Sequence, residues 1–256
     1  MLQNFITKML IVFFTLGVTS YVDAQSGRIK RKKKKTTEIQ KPKPKPKAKP
    51  KKGAILPYGK VVTKEMKTDE GLFKVHSADN TYLFEVPDTL INREMLMVTR
   101  IAKTANGIGF GGGKTNTQVL RWQRKGKKIL LRVVSHNVVA DTILPVHEAV
   151  VNSNFEPVLF SFPIKAFNKD TTAVVIDATS LFSTDVKPLG FPQFYRSRYK
   201  ISRVDKTRSY IDRVSSYPEN IEVRHVKTYF ASKPPSNGSV GSISVEMSNS
   251  MILLPK

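Results

Sequence analysis

Hydrophobic and polar positions alternate in short runs from about residue 70 onward, and most of these runs read as strands. Leu72–Ser77 and Thr81–Val86 flank the turn Ala78-Asp79-Asn80, which predicts a hairpin. Met95–Ala102 predicts a further strand. A second hairpin is expected from Gln118–Trp122 and Lys128–Ser135, turning through Arg124-Lys125-Gly126-Lys127. Val158–Phe167 and Ala173–Ala178 are β-branched and aromatic, hence strands. Ile221–Phe230 alternates with period two, and Ser242–Met247 and Ser250–Leu254 read as two more strands. Helical signals are fewer. Pro145–Val151 can open a short helix with proline in its first turn. Asp205–Ser216 is the best helical stretch, with Asp205 as N-cap and Tyr210, Ile211 and Val214 on one stripe. Strands without regular helices between them argue for an α+β fold, mostly antiparallel β with a few short helices.

The first fifty residues break this pattern. Lys8, the apolar run Met9–Val18 and the small residues before Gln25 have the layout of a secretory signal peptide ending at residue 24. The apolar run is half of the ~20 residues needed to span a bilayer. No cysteine follows it, so that route to a lipid anchor is closed. Residues 25–52 form a Lys/Pro-rich linker that cannot bury a core and is expected to be disordered. Its cations are Arg28, Lys30, Arg31, Lys32, Lys33, Lys34, Lys35, Lys41, Lys43, Lys45, Lys47, Lys49, Lys51 and Lys52, against the single acid Glu38. Alternating Lys-Pro favours polyproline II, so Lys41–Pro50 reaches ~30 Å. A solvated spacer is one role for it. Adhesion to polyanions, such as anionic envelope polymers or lipid headgroups, is the other. Nucleic acid is not expected as a partner of an exported chain.

Charge follows the same division. The chain of 256 residues carries 43 Lys plus Arg and 20 Asp plus Glu, a net of +23. The linker supplies +13 of this, and residues 53–256 the remaining +10. With no cysteine, disulfides, thiol catalysis and Cys-ligated metals are excluded. We divide the rest into a small β-rich domain at 53–104 and a larger α+β domain at 105–256. The apolar run Met251–Leu254 so near Lys256 leads us to expect that the chain is a fragment, or that a partner segment is absent. No later stretch is long and apolar enough to span a bilayer.

Candidate chemistry is thin. Gly109–Thr115 looks like a phosphate-binding loop, but the spacing G-x-x-x-x-G-K-[ST] requires glycine where Ile108 stands. A turn or bulge between strands is the better reading. His147-Glu148 starts the H-E-x-x-H pattern of zinc proteases, but the second histidine position is Val151. His76, His136 and His225 lie in separate strands, where sheet-face or core roles are the default. Asp177 and Asp185 flank Thr179–Phe182. A carboxylate pair is conceivable there, turn and capping roles being commoner. Trp122, Phe155, Phe160, Phe162 and Phe167 read as core. No catalytic, cofactor-binding or metal-ligating residue is assigned.

Several stretches resemble a known family. They are residues 71–104 (GLFKVHSADNTYLFEVPDTLINREMLMVTRIAKT), 109–122 (GFGGGKTNTQVLRW), 129–135, 152–170, 174–186, 204–212 and 217–230. They are similar to the N-terminal region of exported Bacteroidetes-type zinc-dependent metalloproteases. In that family two uncharacterised domains precede a catalytic domain carrying H-E-x-x-H and a further histidine. The resemblance implies a periplasmic, surface or secreted location. It implies that zinc belongs only to a domain downstream of residue 256, so whether this chain is itself an enzyme is left open. The chain is then expected to scaffold or shield that catalytic domain. The alternative is a free-standing cell-envelope binding module with a polyanion-adhesive tail.

Overall fold

The computed structural model describes residues 54–236 and 238–255. The expected signal peptide and the basic linker, with all its cations, lie outside the described residues. Within them the expected class holds: mostly antiparallel β with short helices.

Eleven strands form one sheet in the order β1-β2-β3-β8-β7-β6-β5-β4-β11-β10-β9. They are β1 (Lys67–Asp69), β2 (Lys74–Ala78), β3 (Thr81–Pro87), β4 (Glu94–Lys103), β5 (Lys114–Lys125), β6 (Lys128–Val134), β7 (Val158–Phe167), β8 (Ala173–Asp177), β9 (Ile201–Ser216), β10 (Asn220–Ala231) and β11 (Ser242–Leu253). Every pairing among the described strands is antiparallel. The centre is a meander from β4 to β8. β3 pairs with β8 on one flank, and β11 pairs with β4 on the other. The expected boundary at 104/105 falls in the β4–β5 connection, and strands from both sides of it share this sheet.

The sheet curls until its two ends meet at one corner. There the Leu72 amide donates to the Tyr217 carbonyl (2.6 Å), and the Ser216 amide donates to the Asp69 carboxylate (2.9 Å). Gly71 permits the approach, because a Cβ there would stand 2.6 Å from the Ser216 backbone. Side chains on the inner face consequently share one core, from Val75 and Phe84 through Trp122 and Phe162 to Ile211 and Met251. Trp122 packs edge-on to Phe73 and 5.6 Å from the Phe162 ring. A second apolar cluster, including Ile101, Phe191, Tyr229 and Met247, fills the other end.

Among the described residues four short α-helices accompany the strands: α1 (Tyr58–Val61), α2 (His147–Ser153), α3 (Thr179–Ser183) and α4 (Gln193–Arg198). The segment 178–200, with α3 and α4, links β8 to β9 and places Leu181, Phe182, Leu189 and Phe191 in the two cores. The Asp177 carboxylate accepts from the Thr179 amide (3.1 Å), which starts α3.

Three expectations are corrected. Asp205–Ser216 is strand, not helix. The capping signal was real but local: Asp205 Oδ1 accepts from the Thr207 amide (2.9 Å), a bond that serves a bulge as well as a helix start. In that bulge Val226 and Thr228 of β10 lie opposite Tyr210 and Asp205. Thr228 closes it through Ser209 Oγ (3.0 Å) and the Arg208 carbonyl (2.9 Å). The ladder to β10 decides the outcome, burying Ile211 and leaving Tyr210 half exposed. Second, the two expected C-terminal strands are the single strand β11. Its polar interruption, Ser248-Asn249, is continuous strand, not a turn: Asn249 lies in an interior polar layer and Ser248 is only partly buried. Third, Phe155 is not core but 78% exposed, with the Arg132 guanidinium 4.9 Å from its ring centre.

Candidate functional site

Two features stand out from this frame. The first is the excursion between β6 and β7, residues 135–157, which leaves the sheet and returns through α2. Large apolar side chains crowd its surface, their exposure running from 51% for Val146 through 70% for Val139 to 87% for Ile143. Soluble surfaces seldom concentrate apolar groups in this way unless something covers them. Beside them lies a cleft of about 450 Å³, lined by Arg121 and Arg132 of the sheet and by Val138, His147, Val151 and Phe155 of the excursion. Arg121 pairs with the Glu156 carboxylate, and Arg132 Nη1 donates to the Glu156 carbonyl (2.6 Å). These bonds fix the return strand. From Val133 to Ile164 the sequence has no lysine or arginine but holds Asp141, Glu148 and Glu156. The excursion's own residues are therefore apolar and acidic, while the sheet beneath supplies the arginines.

The second feature is a polar layer between the two apolar cores. Inward-facing residues of β10 run Ile221, Val223, His225, Lys227, Tyr229, so the sheet's alternation itself carries an imidazole and an amine inside. His225 Nε2 faces Asn249 Oδ1 at 2.5 Å, and Asn249 Nδ2 donates to Thr99 Oγ1 (2.8 Å). Lys227 is fully buried, its Nζ donating to the Leu189 carbonyl (3.3 Å). The turn 187–191 is pinned from several strands. Thr99 Oγ1 and Asn116 Nδ2 donate to the Pro188 carbonyl (3.2 and 3.1 Å), and the Phe191 amide donates to Tyr229 Oη (3.1 Å). Arg196 closes the layer, held by the Asp185 carboxylate through both terminal nitrogens (2.9 and 2.5 Å) and by the Phe191 carbonyl (2.8 Å).

Burial pushes the Lys227 amine down to about 7; the nearby Asp185 resists this and Arg196 adds to it. Burial, with Lys227 as neighbour, pushes His225 down to about 3. Burial raises the Tyr229 phenol to about 12. A lysine with this value is an available base or nucleophile chemically. It lies sealed under Gly190, where a Cβ would stand 2.8 Å from Tyr229 Oη.

The four histidines are not brought together. His76 sits between Thr68 Oγ1 (2.8 Å) and Glu85 Oε2 (3.1 Å), and this contact lowers the Glu85 carboxyl against the opposing effect of burial. His136 meets Glu94 at the surface (3.0 Å), and His147 Nδ1 meets the Ala140 carbonyl (3.2 Å). Among the described residues no group of three His, Asp or Glu is placed to hold a metal ion. Asp185 is engaged by Arg196, not by Asp177. The glycine-rich segment is a bulged connection: the Gly112 amide donates to the Ile101 carbonyl (2.6 Å), and strand β5 starts at Lys114 where a phosphate loop needs a helix. Sequence reasoning missed Lys227 and Arg196. The available signal was the period-two register of β10, which puts Lys227 on the same face as Ile221 and Val223.

Residues 55–104 match the family described as domain of unknown function DUF5118. The unmatched residues 105–111 lie in the β4–β5 connection. Neither a curated protein nor a solved structure matches the chain. Residues 112–256, more than half of the sequence, match the family described as domain of unknown function DUF5117, and the chain belongs to that family.

Proposed function

We propose that this chain is the non-catalytic N-terminal region of an exported zinc-dependent metalloprotease-like protein, scaffolding or shielding a downstream catalytic domain. The observation that carries the docking role is the apolar, acidic excursion between β6 and β7. Ile143, Val139 and Phe155 stand out in water there, beside a cleft walled by ordered arginines. The family part of the reading rests on the resemblance over residues 70–256. In this reading zinc sits only in the catalytic domain, and the excursion covers part of that domain's surface.

The gene tests the family part. A reading frame that continues past Lys256 into H-E-x-x-H supports it, and a stop codon at that point overturns it. The docking part is tested with the catalytic domain expressed separately. Co-elution with the wild-type chain, and its loss in the double variant Ile143→Asp, Phe155→Asp with an unchanged circular dichroism spectrum, is the expected result. Co-elution retained in that variant removes the excursion from the interface.

A second reading is favoured by the fourteen cations between Arg28 and Lys52. A free-standing module in the cell envelope would use them to hold anionic polymers or lipid headgroups.

A further inference from the structure

A cavity of about 340 Å³ lies between β5 and the turn 187–193. Asn116 and Gln118 line it from the strand; Lys187, Gly190, Gln193 and Arg196 line it from the turn and α4. Its size falls in the range of small-ligand sites. None of the residues around it is an acid. Asp185, the one carboxylate of the polar layer, is clamped to Arg196 and lines the adjoining cavity, which shares Lys187, Gln193 and Arg196 with this one.

Three observations converge on the charge of its occupant. First, Gln118 Nε2 is shut off from solvent and has no hydrogen-bond partner among the described residues. A buried donor without a partner is unfavourable, and an acceptor brought to it from the cavity would satisfy it. Second, the wall at Gly190 is a bare peptide. A Cβ there would stand 3.4 Å from Arg196 Nη2 and 3.5 Å from Lys227 Nζ. The Arg196 charge is offset by Asp185, so the uncompensated positive charge behind the wall is that of Lys227, which is fullest below neutral pH and acts through protein where screening is weak. Third, the exposed Lys187 ammonium stands at the cavity wall and is free to swing over it. Its carbonyl is fixed, accepting from the Gly190 amide (3.1 Å), so the backbone there is set before any ligand arrives.

We propose that this cavity binds a small oxyanion, a phosphate- or carboxylate-bearing ligand. The anion accepts from the Lys187 ammonium, and from the Gln118 amide once that side chain turns its nitrogen toward the cavity, and sits over the Gly190 peptide. The Asn116 amide stays committed to the Pro188 carbonyl and shapes the wall. Selectivity between phosphate and carboxylate is set by how many donors the ligand can fill.

Titration calorimetry on the full chain tests this, with inorganic phosphate in one arm and succinate in the other. Sodium chloride at matched ionic strength is the reference. The linker's cations take up anions diffusely in every variant, so the saturable component is what reads the cavity. A saturable component for at least one of the two anions is expected. It should weaken about tenfold, or 1.4 kcal/mol, in Lys187→Gln and in Gln118→Leu, and persist in Lys233→Gln, whose cation does not line the cavity. Circular dichroism confirms that each variant is folded. Which arm saturates at lower concentration assigns the ligand class. The proposal is overturned if neither anion gives a saturable component beyond chloride, or if that component survives unchanged in both cavity variants.

Discussion

Replacing Lys227 by Met should make the protein more stable at neutral pH, and the gain should vanish in alkali. Lys227 is fully buried and its amine is displaced from 10.5 to about 7. The unfolded chain therefore binds a proton more tightly than the folded one between pH 7 and pH 10.5. Folding stability falls as pH drops through this window and is flat below it. At 1.36 kcal/mol per unit, the accumulated cost at pH 7 and below is on the order of 5 kcal/mol. Methionine has nearly the same length and no charge, so it removes this cost. It also removes the donor to the Leu189 carbonyl, a loss of about 1–3 kcal/mol that does not depend on pH. The variant should therefore be stabilised by a few kcal/mol at pH 6, and near neutral or destabilised at pH 9.5. His225 and Tyr229 titrate near 6.5 and 10 in the unfolded chain, but wild type and variant share them, so the pH dependence of the difference belongs to Lys227. Urea unfolding followed by the fluorescence of the single, buried Trp122 measures the difference. A stability difference that stays constant from pH 6 to pH 9.5 would refute the account of a buried, titrating amine.

Three further outcomes are expected. Gly190→Ala should destabilise by about 1–3 kcal/mol in the same urea assay, because the new methyl meets Tyr229 Oη at 2.8 Å; unchanged stability would mean that the turn can shift away from the polar layer. Phe162→Ala should cost about 3–5 kcal/mol, since its ring is fully buried against Trp122; a cost under about 1 kcal/mol would show that the curled sheet collapses onto the gap. Deleting residues 28–52 should abolish most retention on heparin, while scrambling their order should leave it intact, since diffuse charge attraction screened beyond ~8 Å is indifferent to order. Retention surviving the deletion would move polyanion binding to the folded body.

Much of this protein is determined locally and is legible in its sequence. The β2–β3 and β5–β6 hairpins follow from alternation interrupted by Asp79-Asn80 and Gly126-Lys127, where backbone turn chemistry acts over a few residues. Strand β7 lies at its expected bounds because five of its ten positions, Val158, Phe160, Phe162, Ile164 and Phe167, are β-branched or aromatic and favour an extended run. Local signals mislead where a distant strand supplies the decisive bonds. Asp205 offers the same hydrogen bond to a helix start or to a bulge, and only pairing with β10 selects the bulge. Ser248-Asn249 looks like a break, and only Thr99 and His225, contributed by other strands, make Asn249 part of an interior layer. The candidate sites belong to this second kind. Lys227, Arg196 and Gln118 come from three elements far apart in the chain, and nothing near each of them in sequence marks it as buried. Composition determined the strand-rich class and the placement of charge. The curl of the sheet decided which charges lie inside, because closing its two ends leaves the inward face of β10 no route to water.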